Sequence, residues 1–414
     1  MSFASAYIEK NTLFPQFIYE KPDANTGIIV VIPSYDEPNI NLVINSLVEA
    51  EKPDCNVEVI VVVNAPQNAP LCSLETNKKT LNDIENRKQN VWFRLFALDI
   101  KPAGAIQGWG VGLARKTGMD EALRRFCTIN NPFGIIVSLD ADCKVEKNYF
   151  SAIYNHFYKH KNLNACSIYF EHDVAGNEFS ESEYKNILQY ELHLRYFLQG
   201  LKFSGYPWAY HTVGSAMAVR AKQYALQGGM NRRQAGEDFY FIQKMISGGS
   251  YFSLNTTTVH PSSRTSSRVP FGTGAAMAKL CENADSQFMT YNPAAFNDLR
   301  ALFDMSGLLY DCHNNNYNAL PESAKLYVDK NEWEQKIAEI RENTANNIAF
   351  QKRFFNWFNM FKIVRFLNIA HQQYYTKIAV IQAAADFLQN IPTEFTGNSP
   401  EDLLAFYRKL EKEN

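Results

Sequence analysis

The sequence predicts an α/β fold with a mostly parallel, Rossmann-like sheet, followed by a helical C-terminal region. Short apolar runs alternate with stretches of helical periodicity over the first two-thirds of the chain. The runs are followed by Pro, Asn or Asp residues that are typical of turns. After about residue 275 the strand-like runs stop and helical spacing dominates. At about 150 residues per domain, a chain of 414 residues has room for two or three domains.

The predicted strands are continuous apolar runs, as expected for strands that are buried on both faces of a sheet. They cover residues 27–33, 57–63, 91–97 and 133–139. Helices are predicted after them, from a cap at Asn39 or Asn41, over 73–90, and over 114–127 after a glycine-rich loop. Ligands of such sheets bind beyond the carboxyl ends of the strands. The side chains expected at that edge are Asp36, Asn64 and Asp140.

Composition and charge indicate an ordinary folded protein. Lys and Arg number 41 against 43 Asp and Glu, hydrophobic residues make up 46% and charged residues 20%. A disordered chain has fewer apolar residues, and a nucleic-acid-binding protein usually has a clear basic excess. We therefore expect a folded protein that does not bind nucleic acid.

Cysteine spacing and hydropathy predict a cytoplasmic protein. The seven cysteines are widely spread without a C-x-x-C pair, which argues against a zinc finger and against a disulfide framework. The N-terminus lacks the basic and apolar segments of a signal peptide. No apolar run reaches the roughly 18 residues of a membrane-spanning helix. Peripheral contact with the inner face of a membrane stays open.

Two aspartates, Asp140 and Asp142, follow the fourth predicted strand in the segment SLDADC. Where a strand gives way to a turn, both carboxylates can face one hard cation. Mg²⁺ and Mn²⁺ prefer carboxylate oxygens and keep positions open for substrate phosphates. The alternative is that the pair only forms the turn, and the short pattern alone does not decide between the two.

A second acidic pair, Glu237 and Asp238, stands at a predicted helix start. The helix dipole favours carboxylates there, so N-capping is one interpretation. The other is general-base catalysis, because a carboxylate within reach of an acceptor hydroxyl can take its proton.

His260 ends a predicted strand, and the residues after it are rich in Ser, Thr, Arg and Gly. Arg264, Arg268 and the Gly-Thr-Gly segment at 272–274 suit a flexible loop that clamps a diphosphate by charge-assisted hydrogen bonds. A neutral His260 imidazole can then serve as a third metal ligand. The alternative is a structural histidine followed by an ordinary surface loop.

Five motifs occur in order along the chain, and together they resemble the family 2 glycosyltransferases, which have the GT-A fold. The motifs are IPSYDE at 32–37, GLARKTG at 112–118, LDAD at 139–142, GSAMAVR at 214–220 with QGGM at 227–230, and GED at 236–238. The similarity covers about residues 27–262. It implies an enzyme that transfers a sugar from a nucleotide-sugar donor to an acceptor hydroxyl, with inversion at the anomeric carbon.

The resemblance implies a donor-binding role for several of the matching residues. Asp36 or Glu37 would lie beside the base and ribose, and Arg115 would lie near the diphosphate. Asn64 stands where the family commonly has an aspartate that contacts the base, so base recognition departs from the family pattern at this position.

The resemblance also implies the metal site and the base. Asp140 and Asp142 match the D-x-D motif that holds a divalent cation, Mn²⁺ or Mg²⁺, together with the donor diphosphate. His260 resembles the metal-binding histidine of several GT-A enzymes. Asp238 matches the base of the inverting reaction, and Glu237 would orient the acceptor or the sugar.

The densest aromatic patch lies in the C-terminal region of a chain with 29 Phe and 22 Tyr. A helix over residues 349–367 has one broad apolar face, and four basic residues occur in the same segment. The face consists of Phe350, Phe354, Trp357, Phe358, Phe361 and Val364. This face either packs as core or lies at a membrane interface, which would suit a lipid-linked acceptor. The small number of basic residues favours core.

The predicted organisation is an N-terminal arm over 1–26, a catalytic domain over 27–274 and a helical region over 275–414. Predicted partners are a nucleotide-sugar donor and a carbohydrate, lipid-linked or small-molecule acceptor. One alternative is a non-catalytic carbohydrate- or partner-binding protein on a GT-A scaffold, against which the intact candidate site counts. A sugar nucleotidyltransferase is the other, but its glycine-rich, Arg-containing loop is missing after the first strand.

Overall fold

The computed structural model describes residues 2–100, 109–233, 236–264, 280, 287–311 and 316–413. The chain forms two compact units. The first comprises residues 1–180 and 212–278, and the second comprises residues 181–211 and 279–414. Residues 181–211, which fall within the predicted catalytic range 27–274, thus belong to the second unit.

The first unit is built on a mixed sheet that has eight strands in the part of the chain that the structure describes. They are β1 (Thr26–Ser34), β2 (Asn56–Asn64), β3 (Arg94–Ile100), β4 (Ile135–Ser138), β5 (Lys144–Val145), β6 (Ala165–Phe170), β7 (Met217–Arg220) and β8 (Tyr251–His260). Their spatial order is β3-β2-β1-β4-β7-β6-β8-β5. β1, β2, β3 and β4 run parallel, β7 is antiparallel to β4 and β6, and β5 is antiparallel to β8.

Helices connect these strands and cover the sheet. They are α1 (Ser5–Asn11), α2 (Ile40–Glu49), α3 (Leu71–Arg87), α4 (Val111–Thr128), α5 (Tyr149–Lys159), α7 (Ala221–Leu226) and α8 (Glu237–Ser247). The helix between α5 and α7, α6 (Glu181–Phe203), belongs to the second unit. The first unit is therefore a Rossmann-like sheet of the GT-A type, which confirms the predicted fold class.

The central strands form the core of the first unit because their side chains are apolar on both faces. Residues 28–32 of β1 have no exposed surface. Helix α4 packs closely against β1 and β2. A Cβ atom at Gly118 would collide with the side chains of Val31 in β1 and Val62 in β2. Gly118, the second glycine of the GLARKTG motif, thus has a packing role.

The first two predicted strands are close to the observed bounds, and the third predicted strand is shifted. Predicted strands 27–33 and 57–63 correspond to β1 and β2, whereas the run at 91–97 enters the sheet only at Arg94. Trp92 instead packs edge-on against Phe150, and its indole N–H donates to the Val48 carbonyl oxygen at 3.0 Å. These contacts place the start of the apolar run outside the sheet.

The second unit is helical. It contains α6, β9 (Met289–Thr290), α9 (Pro293–Ser306), α10 (Glu322–Tyr327), α11 (Lys330–Glu342), α12 (Asn347–Trp357), α13 (Met360–Gln373), β10 (Ile378–Ala379), α14 (Val380–Phe387) and α15 (Pro400–Lys412), with 3₁₀ turns at Tyr317–Ala319 and Leu388–Asn390. The helical pattern of 349–388 is divided between α12, α13 and α14. The break occurs at Asn359. Its side chain caps α13 by accepting hydrogen bonds from the Phe361 and Lys362 N–H groups.

The aromatic face of the C-terminal region packs as core. Phe350, Phe354 and Phe358 are fully buried, and Phe354 contacts Trp333 edge-on with ring centroids 6.1 Å apart. Phe361, the last aromatic residue of the predicted face, keeps 38% of its surface exposed. Among the described residues, no helix combines the length and the hydropathy that crossing a bilayer requires.

Candidate active site

The turn after β1 holds the first two candidate residues. Asp36 has a φ of 50°, in the left-handed region that non-glycine residues rarely adopt. Two hydrogen bonds from α3 stabilise it: the Asp36 N–H donates to Asn77 Oδ1 at 2.9 Å, and the Ser73 hydroxyl donates to Asp36 Oδ2 at 3.0 Å. The turn therefore depends on side chains of α3 that no motif in the sequence indicates.

Asn64, at the end of β2, is buried and braces the start of α4. Its side-chain N–H donates to the Gly110 carbonyl oxygen at 2.9 Å, and its own carbonyl oxygen accepts from Asn77 at 3.0 Å. Gly110 has a φ of 129°, which glycine adopts far more readily than other residues. The structure thus shows a positioning contact for Asn64, and its role in base recognition stays a prediction.

Arg115 lies at the centre of the site, between two carboxylates. This α4 side chain is 2% exposed. Its guanidinium donates to Asp140 Oδ1 at 2.6 Å and, at the other terminal nitrogen, to Glu237. Asp140 follows β4 and Glu237 begins α8, so Arg115 joins two segments about 100 residues apart in sequence. Its contacts are with protein carboxylates, while its predicted diphosphate contact stays a prediction.

Glycines bring these segments into contact. A Cβ atom at Gly112 would collide with the Arg233 carbonyl oxygen, just before α8. A Cβ atom at Gly214 would lie 2.9 Å from both terminal nitrogens of Arg115 and from Asp238 Oδ2. Real Cβ atoms do not approach other atoms so closely. The backbone contact therefore requires glycine at position 112, and a Cβ atom at position 214 would force the Arg115 and Asp238 side chains to shift.

Asp238 is half-buried, and its carboxylate is held by the backbone. The Gly214 N–H donates to Asp238 Oδ2 at 3.0 Å, and the Phe239 N–H donates to Oδ1 at 2.7 Å. Two fixed donors restrict the carboxylate to one orientation in the first turn of α8. Such an orientation is what a general base needs.

Burial and charge shift the ionisation of this cluster. Burial raises the pKa of Glu237 to about 7, Arg115 opposes the increase, and Asp238 adds to it. Burial likewise raises the pKa of Asp140. The positive charge of Arg115 opposes this increase, and the negative charge of Asp142 adds to it. Burial by itself lowers the pKa of Arg115, but the carboxylates of Asp140 and Glu237 raise it above its ordinary value. Carboxyl groups with raised pKa values around one arginine are typical of functional sites.

Arg264 links the turn after β1 to the D-x-D segment. Its guanidinium contacts Glu37, with Nη1 3.3 Å from Oε1, and lies 3.1 Å from Asp142 Oδ2. Glu37 is 4% exposed, and this arginine compensates its charge. The predicted loop residues Arg268 and 272–274 lie outside the described residues.

The two aspartates of the D-x-D segment suit a hard divalent cation. Arg115 and Arg264 contact Asp140 Oδ1 and Asp142 Oδ2, and the second oxygen of each carboxylate has no partner among the described residues. Their side chains are 38% and 29% exposed, which leaves room for access from solvent. Oxygen ligands with open positions are what Mg²⁺ and Mn²⁺ prefer.

His260 lies next to the segment that follows Asp142, since it pairs with Lys144 of β5. Its Nε2 is 3.1 Å from Glu146 Oε1. Within the described part of the chain, no group of three His, Cys, Asp or Glu side chains is close enough to hold a metal ion. The structure therefore does not bring Asp140, Asp142 and His260 together as a ligand set, and the metal and its histidine ligand stay predictions.

The structure thus brings most of the predicted residues into one cluster at the carboxyl ends of β1 and β4. Sequence reasoning missed Ser73, Asn77 and Glu146, and noted the Gly214 motif without assigning a role to its first glycine. A polar helix such as α3 gives no signal that two of its side chains face a site. The cluster is formed by Asp36, Glu37, Arg115, Asp140, Asp142, Glu237, Asp238 and Arg264.

Comparisons with known proteins show distant structural similarity only. No protein-family model matches the chain, and no curated protein matches it. It is similar to the crystal structure of S. aureus TarS 1–349, with 15% identity, a TM-score of 0.40 and 88% of each chain covered. The complex of TarS with UDP-GlcNAc shows 13% identity and a TM-score of 0.41, over 84% of this chain and 92% of that one. Similarity at this level assigns no activity, so function is inferred from the site.

A substitution at Gly214 tests whether the site depends on this close approach. Gly214→Ala is expected to displace the Asp238 carboxylate and to lower kcat by about 10²-fold, because catalytic groups tolerate little misplacement. The measurement is kcat at saturating donor. Gly307→Ala is the matched control, since a Cβ atom there would lie 3.4 Å from its nearest neighbour, the Gln351 side chain. Equal kcat values for the two variants would contradict the assigned role of Gly214.

Proposed function

We propose that this protein is a metal-dependent glycosyltransferase that transfers a sugar from a nucleotide-sugar donor to an acceptor hydroxyl, with inversion. One observation carries the proposal: Arg115 joins Asp140 of the D-x-D segment to Glu237, which is adjacent to Asp238. The carboxylate expected to face the donor and the carboxylate expected to act as base are thereby held in one rigid cluster. The five motifs that resemble family 2 glycosyltransferases support the same assignment.

In the proposed reaction Asp238 takes the proton of the acceptor hydroxyl. The hydroxyl oxygen forms a bond to the anomeric carbon of the sugar, and the bond between that carbon and the nucleoside diphosphate breaks. The Gly214 and Phe239 N–H groups hold the Asp238 carboxylate in position during proton transfer. Glu237, fixed by Arg115, orients the acceptor or the sugar.

Negative charge that develops on the leaving diphosphate requires positive charge nearby. Asp140 and Asp142 would hold a divalent cation, which would stabilise that charge as a Lewis acid. Arg264 adds a guanidinium beside Asp142, where it can donate to phosphate oxygens. Asp36 or Glu37, in the turn after β1, is proposed to contact the base and ribose of the donor.

Removing one metal-binding carboxylate tests the donor site directly. A thermal-shift screen of UDP-, GDP- and other nucleotide sugars with Mn²⁺ or Mg²⁺ is expected to find a stabilising donor. A ligand at 100 times its Kd adds about 2.7 kcal/mol to the free energy of unfolding. Asp142→Ala is expected to abolish the metal-dependent part of this stabilisation.

The matched control is Asp304→Ala, because Asp304 is 73% exposed and lies in the second unit. It is expected to respond to donor and metal as the wild type does. Absence of stabilisation by any nucleotide with metal, together with an unchanged response in Asp142→Ala, would contradict the proposed function. Donor binding without transfer to any acceptor would instead favour a non-catalytic binding protein.

A further inference from the structure

A cavity of about 420 Å³ lies at the edge of the sheet where β1 and β4 begin. The candidate active site lies beyond the other ends of these strands, roughly 25 Å away at about 3.3 Å per residue of β1. β7 is antiparallel, so its last residue, Arg220, reaches the same edge and pairs with Ile135. Side chains that line the cavity include Thr26, Phe133, Tyr154, Tyr158, Lys161 and Arg220.

Arg220 brings a positive charge to this cavity. It is 9% exposed, and its guanidinium donates to the carbonyl oxygens of Leu163, Phe133 and Phe157 at 2.7 to 2.9 Å. The guanidinium also lies over the rings of Phe133 and Phe157, 5.4 and 5.1 Å from their centroids. Among the described residues it forms no ion pair with a carboxylate. A guanidinium has five N–H groups, so two of them lack an acceptor in this part of the chain. Burial lowers the pKa of Arg220.

A second cation lines the cavity. Lys161 is exposed there and forms no ion pair with a described carboxylate. The cavity therefore offers two cations, Arg220 and Lys161, and cations bind a carboxylate, sulfonate or phosphate by charge-assisted hydrogen bonds.

Aromatic side chains form part of the remaining wall, which also contains residues such as Gly27, Cys55 and Asn131. The Tyr154 and Tyr158 rings stack with centroids 6.1 Å apart and an angle of 17° between their planes. Tyr158 is 67% exposed, so part of its ring is available to a ligand. Aromatic walls with a few polar groups are typical of small-molecule sites of this volume.

We propose that this cavity is a second binding site, for a small amphipathic anion with an acidic head group and an apolar, ring-bearing body. Arg220 and Lys161 bind the head group, and Tyr154 and Tyr158 contact the body. The site goes beyond the proposed glycosyl transfer and does not depend on it.

Two fluorescent probes that differ by one acidic group test the proposal. The first is 1-anilinonaphthalene-8-sulfonate, and the second is N-phenyl-1-naphthylamine, which has the same rings without the sulfonate. Wild-type protein is expected to bind the sulfonate at least about tenfold more tightly, since a desolvated ion pair at contact distance provides that difference. Equal affinity for the two probes would overturn the proposal.

Variants of exposed residues locate the bound probe without disturbing the hydrogen bonds of Arg220. Lys161→Glu is expected to weaken binding of the sulfonate about tenfold or more and to leave the neutral probe within about twofold. Lys159→Glu, an exposed lysine two residues away that does not line the cavity, is the matched control and is expected to change neither affinity. Tyr158→Ala is expected to weaken the binding of both probes. Equal effects of the two lysine variants, or no effect of Tyr158→Ala, would overturn the proposal.

Discussion

Asp238→Asn is expected to lower kcat by about 10²–10⁴-fold while donor binding is retained, because general-base catalysis contributes this range. The Gly214 and Phe239 N–H groups donate to different oxygens of the carboxylate, so the single oxygen of an amide keeps one of these two hydrogen bonds. The amide cannot take a proton from the acceptor. The substitution therefore removes the proton transfer together with one of the two contacts that orient the side chain.

The measurement pairs single-turnover transfer with donor affinity from the thermal shift. Asp304→Asn, at an exposed position of the second unit, is the control and is expected to keep full activity. Full activity in Asp238→Asn would remove the assignment of Asp238 as base and would leave the donor site intact. The anomeric configuration of the product then tests inversion independently of the identity of the base.

Glu58→Ala is expected to lower the free energy of unfolding of the first unit by about 3–5 kcal/mol, the cost of leaving one member of a buried ion pair alone. Glu58 is a charged residue within β2 and has no exposed surface. Its carboxylate accepts two hydrogen bonds from Arg125 of α4, one of them at 2.7 Å, and Arg125 is itself 2% exposed. Removal of Glu58 leaves this guanidinium buried without its carboxylate.

Urea unfolding and hydrogen exchange of the β2 and α4 amides measure this loss. Glu85→Ala is the matched control, since Glu85 is 68% exposed and pairs only with Lys88 in the described structure. Surface pairs of this kind contribute about 0–1 kcal/mol, so the control should differ little from the wild type. A loss below about 1 kcal/mol in Glu58→Ala would show that Arg125 finds another partner or reaches solvent.

The strands around the site follow from the sequence because burial on both faces leaves a continuous apolar run. β1 and β2 are of this kind, and polar residues mark their ends. Less regular elements could not be predicted from the sequence in this way. The run at 91–97 contains Trp92, whose contacts with Phe150 and the Val48 carbonyl keep it out of β3. Apolar periodicity reports that a residue is buried, and it does not report which neighbour buries it.

The candidate site shows the same division. Asp36, Asp140 and Asp142 come directly after apolar runs, so their place at one edge of the sheet is predictable from the parallel topology. The position of Arg115 is not predictable in this way. The resemblance implies only that Arg115 lies near the diphosphate, and the structure adds that it is buried between Asp140 and Glu237.

By itself the sequence determined the α/β class and the succession of apolar runs along the chain that form the central strands. It also determined the residue types at the carboxyl ends of these strands. These properties depend on local hydrophobicity and chain topology, which the order of residues carries directly. The tertiary structure alone decided that Arg115 and Arg264 pair with carboxylates and that Gly214 holds Asp238. It also decided that Arg220 lines a cavity, with no carboxylate partner among the residues that the structure describes. Each of these contacts joins segments that are distant in sequence, and long-range packing and burial determine them.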